Sequence, residues 1–170
     1  MRRSRAVKIM SKLAVIRTAV FETDAIRLVA ALSGSSDVYV ETTQYFPYFS
    51  FAGRCTLPGL FGKRQTDVRC LIDAVNGHGA TADRFDVDHE VMVDSSKIAV
   101  KLTAAEATAA AQRIVTHSLG RNLRVIARFE PDFDAATLVY KKFWIVGDGQ
   151  IRALVDSVDG SMHPLRVRAA

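Results

Sequence analysis

Residues 138–164, LVYKKFWIVGDGQIRALVDSVDGSMHP, decide the fold that the sequence predicts. Two runs of β-branched and aromatic residues, 138–146 and 151–158, flank a Gly-Asp-Gly turn at 147–149. Turn residues between apolar runs are a strong hairpin signal, because a tight turn needs a positive φ that Gly, Asn and Asp adopt at low cost. The second run also ends in Asp-Gly. The stretch therefore predicts a β-meander.

The first half of the chain contains the same pattern. LIDAVNG at 71–77 matches LVDSVDG at 154–160 at four identical positions, and the other three are Ile/Val, Ala/Ser and Asn/Asp exchanges. YFPYFSF at 45–51 lines up with YKKFWIV at 140–146. A third pair of blocks keeps the same order, namely SKLAV at 11–15 and SKIAV at 96–100. Three blocks in one order predict a tandem duplication.

Each half is also predicted to contain one helix. The sequence TAAE at 103–106 has the residues of a capping box, and Gly120 supplies a stop. In the first half, Thr23 or Asp24 can cap a helix that stops at Gly34. Both helices have apolar residues at helical spacing, as a helix that covers a sheet requires.

These patterns predict an α+β fold of two tandem repeats, each a helix packed on a short antiparallel β-meander, which together form one pseudo-symmetric unit. Repeat one is residues 1–94, with a basic N-terminal tail and an inserted loop at 54–65. Repeat two is residues 95–170.

Three motifs of repeat two resemble the PepSY-like (cystatin-like) repeat family. They are LTAAEA at 102–107, YKKFWIV at 140–146 and LVDSVDG at 154–160, and 71–77 is the best match in repeat one. The resemblance implies a helix on a short antiparallel sheet. It also implies a non-catalytic binding or inhibitory module, often outside the cytoplasm.

The charge of the chain is concentrated at its start. Of the 23 Lys and Arg residues, five lie in the first twelve positions, and the remainder equal the 18 Asp and Glu residues. A basic arm of this kind binds phosphates or anionic lipid, or it is a solubilising terminus, which we favour. No RRM, KH, helix-turn-helix or zinc-finger signature is present, so we expect no sequence-specific nucleic acid partner.

Compartment and redox state are weakly indicated. No apolar run approaches the roughly 20 residues of a membrane span. As given, the chain looks cytoplasmic, or envelope-associated if a leader is missing. Cys55 and Cys70 are expected to be unpaired thiols, or to pair across a hairpin in an oxidising compartment.

The two repeats differ most in the loop at 54–65, RCTLPGLFGKRQ, which repeat two lacks. Loops added to a scaffold often carry function, and apolar residues beside cations suit a partner protein or a membrane surface. The predicted contact residues are Leu57, Leu60, Phe61, Lys63 and Arg64. The alternative is that this segment plugs the core or lengthens a hairpin.

A second candidate site is a small-ligand pocket between the repeats. Four aromatic residues at strand spacing are its predicted lining, Tyr45, Tyr48, Tyr140 and Trp144. The alternative is that these aromatics belong to the core, as most aromatics at strand spacing do.

The best metal candidate is the acidic stretch at 83–90. On a strand, Asp86, Asp88 and Glu90 share one face and His89 points away, so we favour a solvated sheet edge. We expect no catalytic residues, no metal site and no cofactor. The predicted function is a non-catalytic interaction module with an unidentified protein partner or membrane surface, and homodimerisation is an option. The alternative is a small-ligand carrier or sensor.

Overall fold

The computed structural model describes residues 10–59, 62–93, 96–123 and 130–165. Its elements, in chain order, are β1 (Met10–Ile16), α1 (Glu22–Ser33), β2 (Tyr39–Gly59), β3 (Gly62–Asp73), β4 (Gly79–Thr81), β5 (Val87–Val93), α2 (Ala104–Leu123), β6 (Pro131–Phe133), β7 (Thr137–Gly147), β8 (Arg152–Asp156) and β9 (Met162–Leu165). Neither helix in these ranges is long and apolar enough to cross a membrane.

The strands of the described residues form a nine-stranded mixed sheet. Its main order is β4-β3-β2-β7-β1-β5, while β6 pairs with β2 and β8 pairs with both β7 and β9. Val15 of β1 pairs in parallel with Tyr140 of β7, whereas the β1–β5, β2–β3 and β7–β8 ladders are antiparallel. The fold is therefore α+β with a sheet rich in antiparallel pairs.

The chain divides into two compact units. Unit 1 contains residues 1–46, 86–98 and 140–170, and unit 2 contains residues 47–85 and 99–139. Strands β2 and β7 each belong in part to both units, because a unit boundary falls within each strand.

The predicted fold of two tandem helix-on-meander repeats is wrong. The helices lie on one mixed sheet, and each packs against strands from the other half of the chain. In unit 1, Val29 of α1 shares a buried cluster with Val146 of β7 and Val155 of β8. In unit 2, Val115 of α2 shares a buried cluster with Phe51 of β2 and with β3. Both halves carry similar apolar patterns, so the sequence does not decide which helix covers which meander.

The two matching turns have the same local structure, as their sequences predicted. The Asp73 carboxylate accepts a hydrogen bond from the Val75 N–H at 2.7 Å, and the Asp156 carboxylate accepts one from the Val158 N–H at 2.8 Å. Each turn then reaches a glycine with positive φ, 76° at Gly77 and 73° at Gly160. An Asx turn followed by a left-handed glycine is a local structure, which is why it can be read from the sequence.

Each turn also binds the segment that leads into a helix. The Ala74 carbonyl accepts the N–H groups of residues 101–102 at 2.9 and 3.0 Å, just before α2. The Ser157 carbonyl accepts both N–H groups of residues 19–20 at 2.8 Å, shortly before α1. The turn from one half of the chain thus places the helix from the other half.

Ser157 occupies the position in its turn that Ala74 occupies in the other. Both residues are fully buried, and the Ser157 hydroxyl has no hydrogen-bond partner among the described residues. A buried polar group without a partner destabilises the folded state, so Ser157→Ala should leave the free energy of unfolding unchanged or raise it by about 1 kcal/mol. The reverse change, Ala74→Ser, should lower it by about 1–3 kcal/mol. Urea denaturation measures both, and a clear loss of stability in Ser157→Ala would contradict this assignment.

The helix termini follow the predicted capping in part. The Thr103 N–H donates to Glu106 at 2.8 Å and the Glu106 N–H donates to the Thr103 hydroxyl at 3.2 Å, which confirms the capping box. Helix α1 ends before Gly34, whose φ is 70°. Helix α2 continues past Gly120 to Leu123, so the stop predicted at Gly120 is wrong. The sequence also predicts a strand over residues 123–129, of which 124–129 lie outside the described residues.

The two cysteines are free and buried. The β2–β3 register places Cys55 opposite Thr66 and Cys70 opposite Phe51, so the cysteines are four positions apart along the ladder. That offset corresponds to about 13 Å, well beyond the Cα separation of a disulfide, which is at most about 7 Å. Burial raises the pKa of the Cys70 thiol to about 11, which keeps it protonated and unreactive.

Candidate binding site

Residues 54–59 and 62–65, the described part of the predicted loop, form paired strands. The antiparallel ladder between β2 and β3 continues through this segment as far as the Gly59–Gly62 pair. Of the two alternatives, the lengthened hairpin is the one that these residues form.

The five residues predicted to contact a partner have different environments. Leu57 is 4% exposed and belongs to the buried cluster beneath α2, so its side chain is part of the core. Lys63 and Arg64 are exposed on β3. Leu60 and Phe61 lie outside the described residues. Among the members of this set that the structure describes, the exposed ones are therefore the two cations.

The four residues predicted to line an aromatic pocket do not all belong to the same unit. Tyr45, Tyr140 and Trp144 belong to unit 1, whereas Tyr48 belongs to unit 2. Tyr45 and Tyr140 are 8% and 6% exposed and share a buried cluster with residues of β1 and β5. These two tyrosines are core residues, and Trp144 is the member that reaches a surface groove.

This surface feature, which we call the α1 groove, lies at the N-terminal end of α1 in unit 1. Its volume is about 510 Å³. Residues of the β1–α1 connection, the start of α1, β5 and β7 line it: Arg17, Thr18, Phe21, Glu22, Thr23, Asp88, Glu90, Lys142 and Trp144.

A charged network forms the floor of the α1 groove. The Glu90 carboxylate accepts hydrogen bonds from the Tyr45 hydroxyl at 2.8 Å and from Lys142 Nζ at 2.6 Å. The side chains of Lys142 and Glu90 are only 12% and 29% exposed. Lys142 Nζ also lies 5.2 Å from the ring centroid of Trp144 and 5.8 Å from that of Tyr45, within cation–π range.

Backbone contacts fix the aromatic residues of the groove. The Trp144 indole N–H donates to the Val20 carbonyl at 3.0 Å, which holds the ring against the chain before α1. The Phe21 N–H donates to the Asp24 carboxylate at 3.2 Å, at the position where α1 begins. The Phe21 side chain remains 61% exposed. The groove therefore combines a charged floor with an exposed aromatic edge.

The acidic stretch forms ion pairs along the same surface. Arg17 contacts Asp86 at 2.7 Å and Asp88 at 3.2 Å, and all three side chains are substantially exposed. Within the described residues, no group of three His, Cys, Asp or Glu side chains is arranged to hold a metal ion. Asp86 and Asp88 therefore pair with Arg17, and Glu90 pairs with Lys142.

The pKa of Tyr45 is raised above the ordinary value of 10.0, first by burial and then by the hydrogen bond to Glu90 and its negative charge. Since the folded state holds the phenol proton more tightly than the unfolded state, Tyr45 stabilises the fold below about pH 10. This contribution is lost as the pH rises above that value. The free energy of unfolding should therefore fall more steeply between about pH 9 and pH 11 in the wild type than in Tyr45→Phe. The free energies of unfolding are measured by urea denaturation at each pH. If they fall equally steeply with pH in the two proteins, the Tyr45 phenol is not buried as described.

Sequence reasoning missed most of the groove. It identified Trp144 and considered Glu90 only as part of a metal candidate, and it assigned no site role to Lys142 or Phe21. Lys142 did carry a signal, since it interrupts the apolar run of β7. Its partner Glu90 is 52 residues earlier in the chain, and no local pattern connects the two.

In comparisons with known proteins, no family model matches the chain, and neither a curated protein nor a solved structure does. The resemblance to the PepSY-like repeat stays a prediction based on its motifs.

Proposed function

We propose that this chain is a non-catalytic binding module and that the α1 groove is its binding surface. The observation that carries the proposal is the Lys142–Glu90 ion pair on the floor of an open groove between Trp144 and Phe21. A largely buried ion pair gains little net stability, because desolvation of the charges offsets their attraction. Such a pair beside exposed aromatic surface is well suited to orient a ligand.

The connections of the charged residues favour binding over chemistry. Glu90 is held by both Tyr45 and Lys142, and Asp88 is held by Arg17. A general acid or base must exchange a proton with the substrate, and a carboxylate already engaged by a cation is poorly placed for that role. The same arrangement suits recognition, since charge and shape are fixed before a ligand arrives.

The groove also has the dimensions of a ligand site. Its volume of about 510 Å³ lies within the range of roughly 300–1,000 Å³ found for small-molecule sites. A small-ligand carrier is therefore the alternative form of this proposal. In that case the ligand contacts Trp144 within unit 1.

Trp144 provides a direct test, because it is the only tryptophan of the chain. A ligand that occupies the groove should change Trp144 emission and raise the melting temperature in a screen of small molecules and peptides. Phe21→Ala should weaken that ligand at least about fivefold, since an exposed aromatic contact is often worth about 1 kcal/mol.

Leu32→Ala is the matched control for this screen. Leu32 is 76% exposed and lies at the other end of α1, outside the groove. The Leu32→Ala variant should bind the ligand with the same affinity as the wild type. If Phe21→Ala and the wild type bind every hit equally, or if no hit alters Trp144 emission, the groove is not the binding surface.

The β2–β3 hairpin supports a second candidate function, contact with an acidic partner protein. Lys63 and Arg64 are exposed on β3, while Leu57 anchors the opposite strand in the core. A partner retained by the wild type in a pull-down should be lost on Lys63→Glu with Arg64→Glu. Retention by this double variant would remove the hairpin from consideration.

A further inference from the structure

Strand β5 forms one end of the main strand order in the sheet. It pairs with β1 on one side, and among the strands of the described residues no other pairs with it. Its side chains are accessible, since Val91 is 62% exposed and Val87 is 36% exposed. An accessible edge strand of seven residues is a template for another strand.

The ladder between β1 and β5 shows which backbone groups face this edge. The Arg17 N–H donates to the Asp86 carbonyl at 2.9 Å, and Ile16 is opposite Val87. Hydrogen-bonded and non-hydrogen-bonded pairs alternate along an antiparallel ladder. The N–H and C=O groups of Val87, His89 and Val91 therefore point away from β1, toward the open edge.

The two faces of β5 differ in chemistry. Asp86, Asp88 and Glu90 lie on the face of the α1 groove, and Val87, His89 and Val91 lie on the other face. Within the described ranges, the three carboxylates of the groove face form ion pairs with two cations, Arg17 and Lys142, so these carboxylates outnumber the cations by one.

We propose that β5 accepts an extended basic peptide as an added antiparallel strand along its free edge, with every second peptide side chain on the face of the α1 groove. This inference rests on the proposed function of the groove as a binding surface. Backbone hydrogen bonds to Val87, His89 and Val91 supply affinity, as in other cases of strand addition. Lys or Arg at alternate positions of the peptide lies opposite Asp88 and Glu90, and β-branched residues lie opposite Val87 and Val91.

Two pairings of this edge with a second copy of the chain bring like charges together. A two-fold pairing centred on His89 places Asp88 opposite Glu90 of the second copy. A pairing centred on Glu90 places the two Glu90 side chains opposite each other. Like charges directly opposite on neighbouring strands are destabilising, so both registers are disfavoured.

The test uses a capped seven-residue peptide that alternates Lys and Val, with a matched peptide in which Glu replaces Lys. We expect the Lys peptide to bind, as measured by isothermal titration calorimetry, and the Glu peptide to bind at least about tenfold more weakly. Equal affinities of the two peptides, or no binding of the Lys peptide, would overturn the proposal.

N-methylated peptides test the geometry on the unaltered protein. In the proposed pairing the Val residues of the peptide lie opposite Val87, His89 and Val91, so their N–H groups bond to β5. Methylation of the Val amides should abolish binding, and methylation of the Lys amides should leave affinity within about threefold. Equal effects of the two methylation patterns would exclude strand addition.

A variant of β5 tests the same backbone hydrogen bonds by changing the protein instead of the peptide. Val91→Pro removes an edge-facing N–H while leaving the β1 ladder intact, a position where strands tolerate proline. It should weaken the Lys peptide at least about tenfold, whereas Val91→Thr, which keeps the amide, should not. The N-methylated peptides decide the question if Val91→Pro does not fold.

Two outcomes separate this inference from its alternatives. Self-association of the wild type that Val91→Pro abolishes would assign the edge to a second copy and overturn the peptide proposal. A groove ligand that still depends on Phe21 but is unaffected by Val91→Pro would leave the proposed function standing and remove only the strand addition.

Discussion

Leu57→Ala is expected to lower the free energy of unfolding by about 2–5 kcal/mol. Leu57 is 4% exposed and packs in the cluster that contains Phe51, Ile72 and Val115, so truncation leaves a cavity beneath α2. The matched controls Lys63→Ala and Arg64→Ala change exposed side chains of the same hairpin. They should alter stability by no more than about 0.5 kcal/mol. Denaturant titration of the three variants gives the comparison.

The same result decides how the segment 54–65 is built. If Leu57→Ala costs as little as the two controls, the segment is a surface loop, which is one of the two alternatives that the sequence left open. A large cost also means that replacing 54–65 by a short Gly-Asp-Gly turn removes part of the core. That replacement should destabilise unit 2, so point variants of the cations are the better test of a partner.

Lys142→Met is expected to lower the free energy of unfolding by about 2–3 kcal/mol. Among the described residues, the variant leaves the Glu90 carboxylate with the Tyr45 hydroxyl as its remaining side-chain partner. Removing one member of a fully buried pair typically costs about 3–5 kcal/mol, and Glu90 retains some contact with water, which reduces the penalty. Adding Glu90→Gln should recover part of the loss, with a coupling of about 1 kcal/mol or more.

Arg17→Ala is the control for the floor of the groove. Arg17 and Asp86 form an exposed ion pair, with side chains 58% and 65% accessible, and such pairs contribute at most about 1 kcal/mol. If Lys142→Met costs no more than Arg17→Ala, the Lys142–Glu90 pair is effectively solvated. The description of a charged, largely buried groove floor would then be wrong.

The elements that the sequence predicted well are those set by neighbouring residues. The turns at 71–77 and 154–160 form because Asp73 and Asp156 accept hydrogen bonds from amides two residues later. The start of α2 likewise depends on the reciprocal bonds of Thr103 and Glu106. Residues this close in the chain form these contacts in almost any tertiary context.

The elements that the sequence predicted poorly depend on distant residues. Whether Val29 packs on the first or the second meander is a choice between two apolar surfaces of similar pattern. The duplication itself stays a prediction from the matching blocks. The segment 54–65 contains a Pro-Gly pair typical of a turn, and before it residues 54–57 alternate polar and apolar side chains as a strand does. The alternation was the correct guide, because β3 pairs with it.

The start of α1 explains why the edge of the groove was missed. Thr23 and Asp24 were the predicted caps, since their side chains accept backbone hydrogen bonds. The helix instead begins after Phe21, and Asp24 bonds back to the Phe21 amide. An apolar residue at the cap position gives no capping signal, yet here it supplies the exposed aromatic surface of the groove.

The position of α1 on β7 and β8 is the claim on which the groove depends, and a double-mutant cycle tests it most directly. Val29 and Val155 share one buried cluster, while Ile72 belongs to another. We expect Val29→Ala and Val155→Ala to be coupled by at least about 0.5 kcal/mol, and Val29→Ala and Ile72→Ala to be additive within about 0.5 kcal/mol. Coupling of Val29 to Ile72 and not to Val155 would place α1 on the meander of its own half, and the α1 groove would not exist.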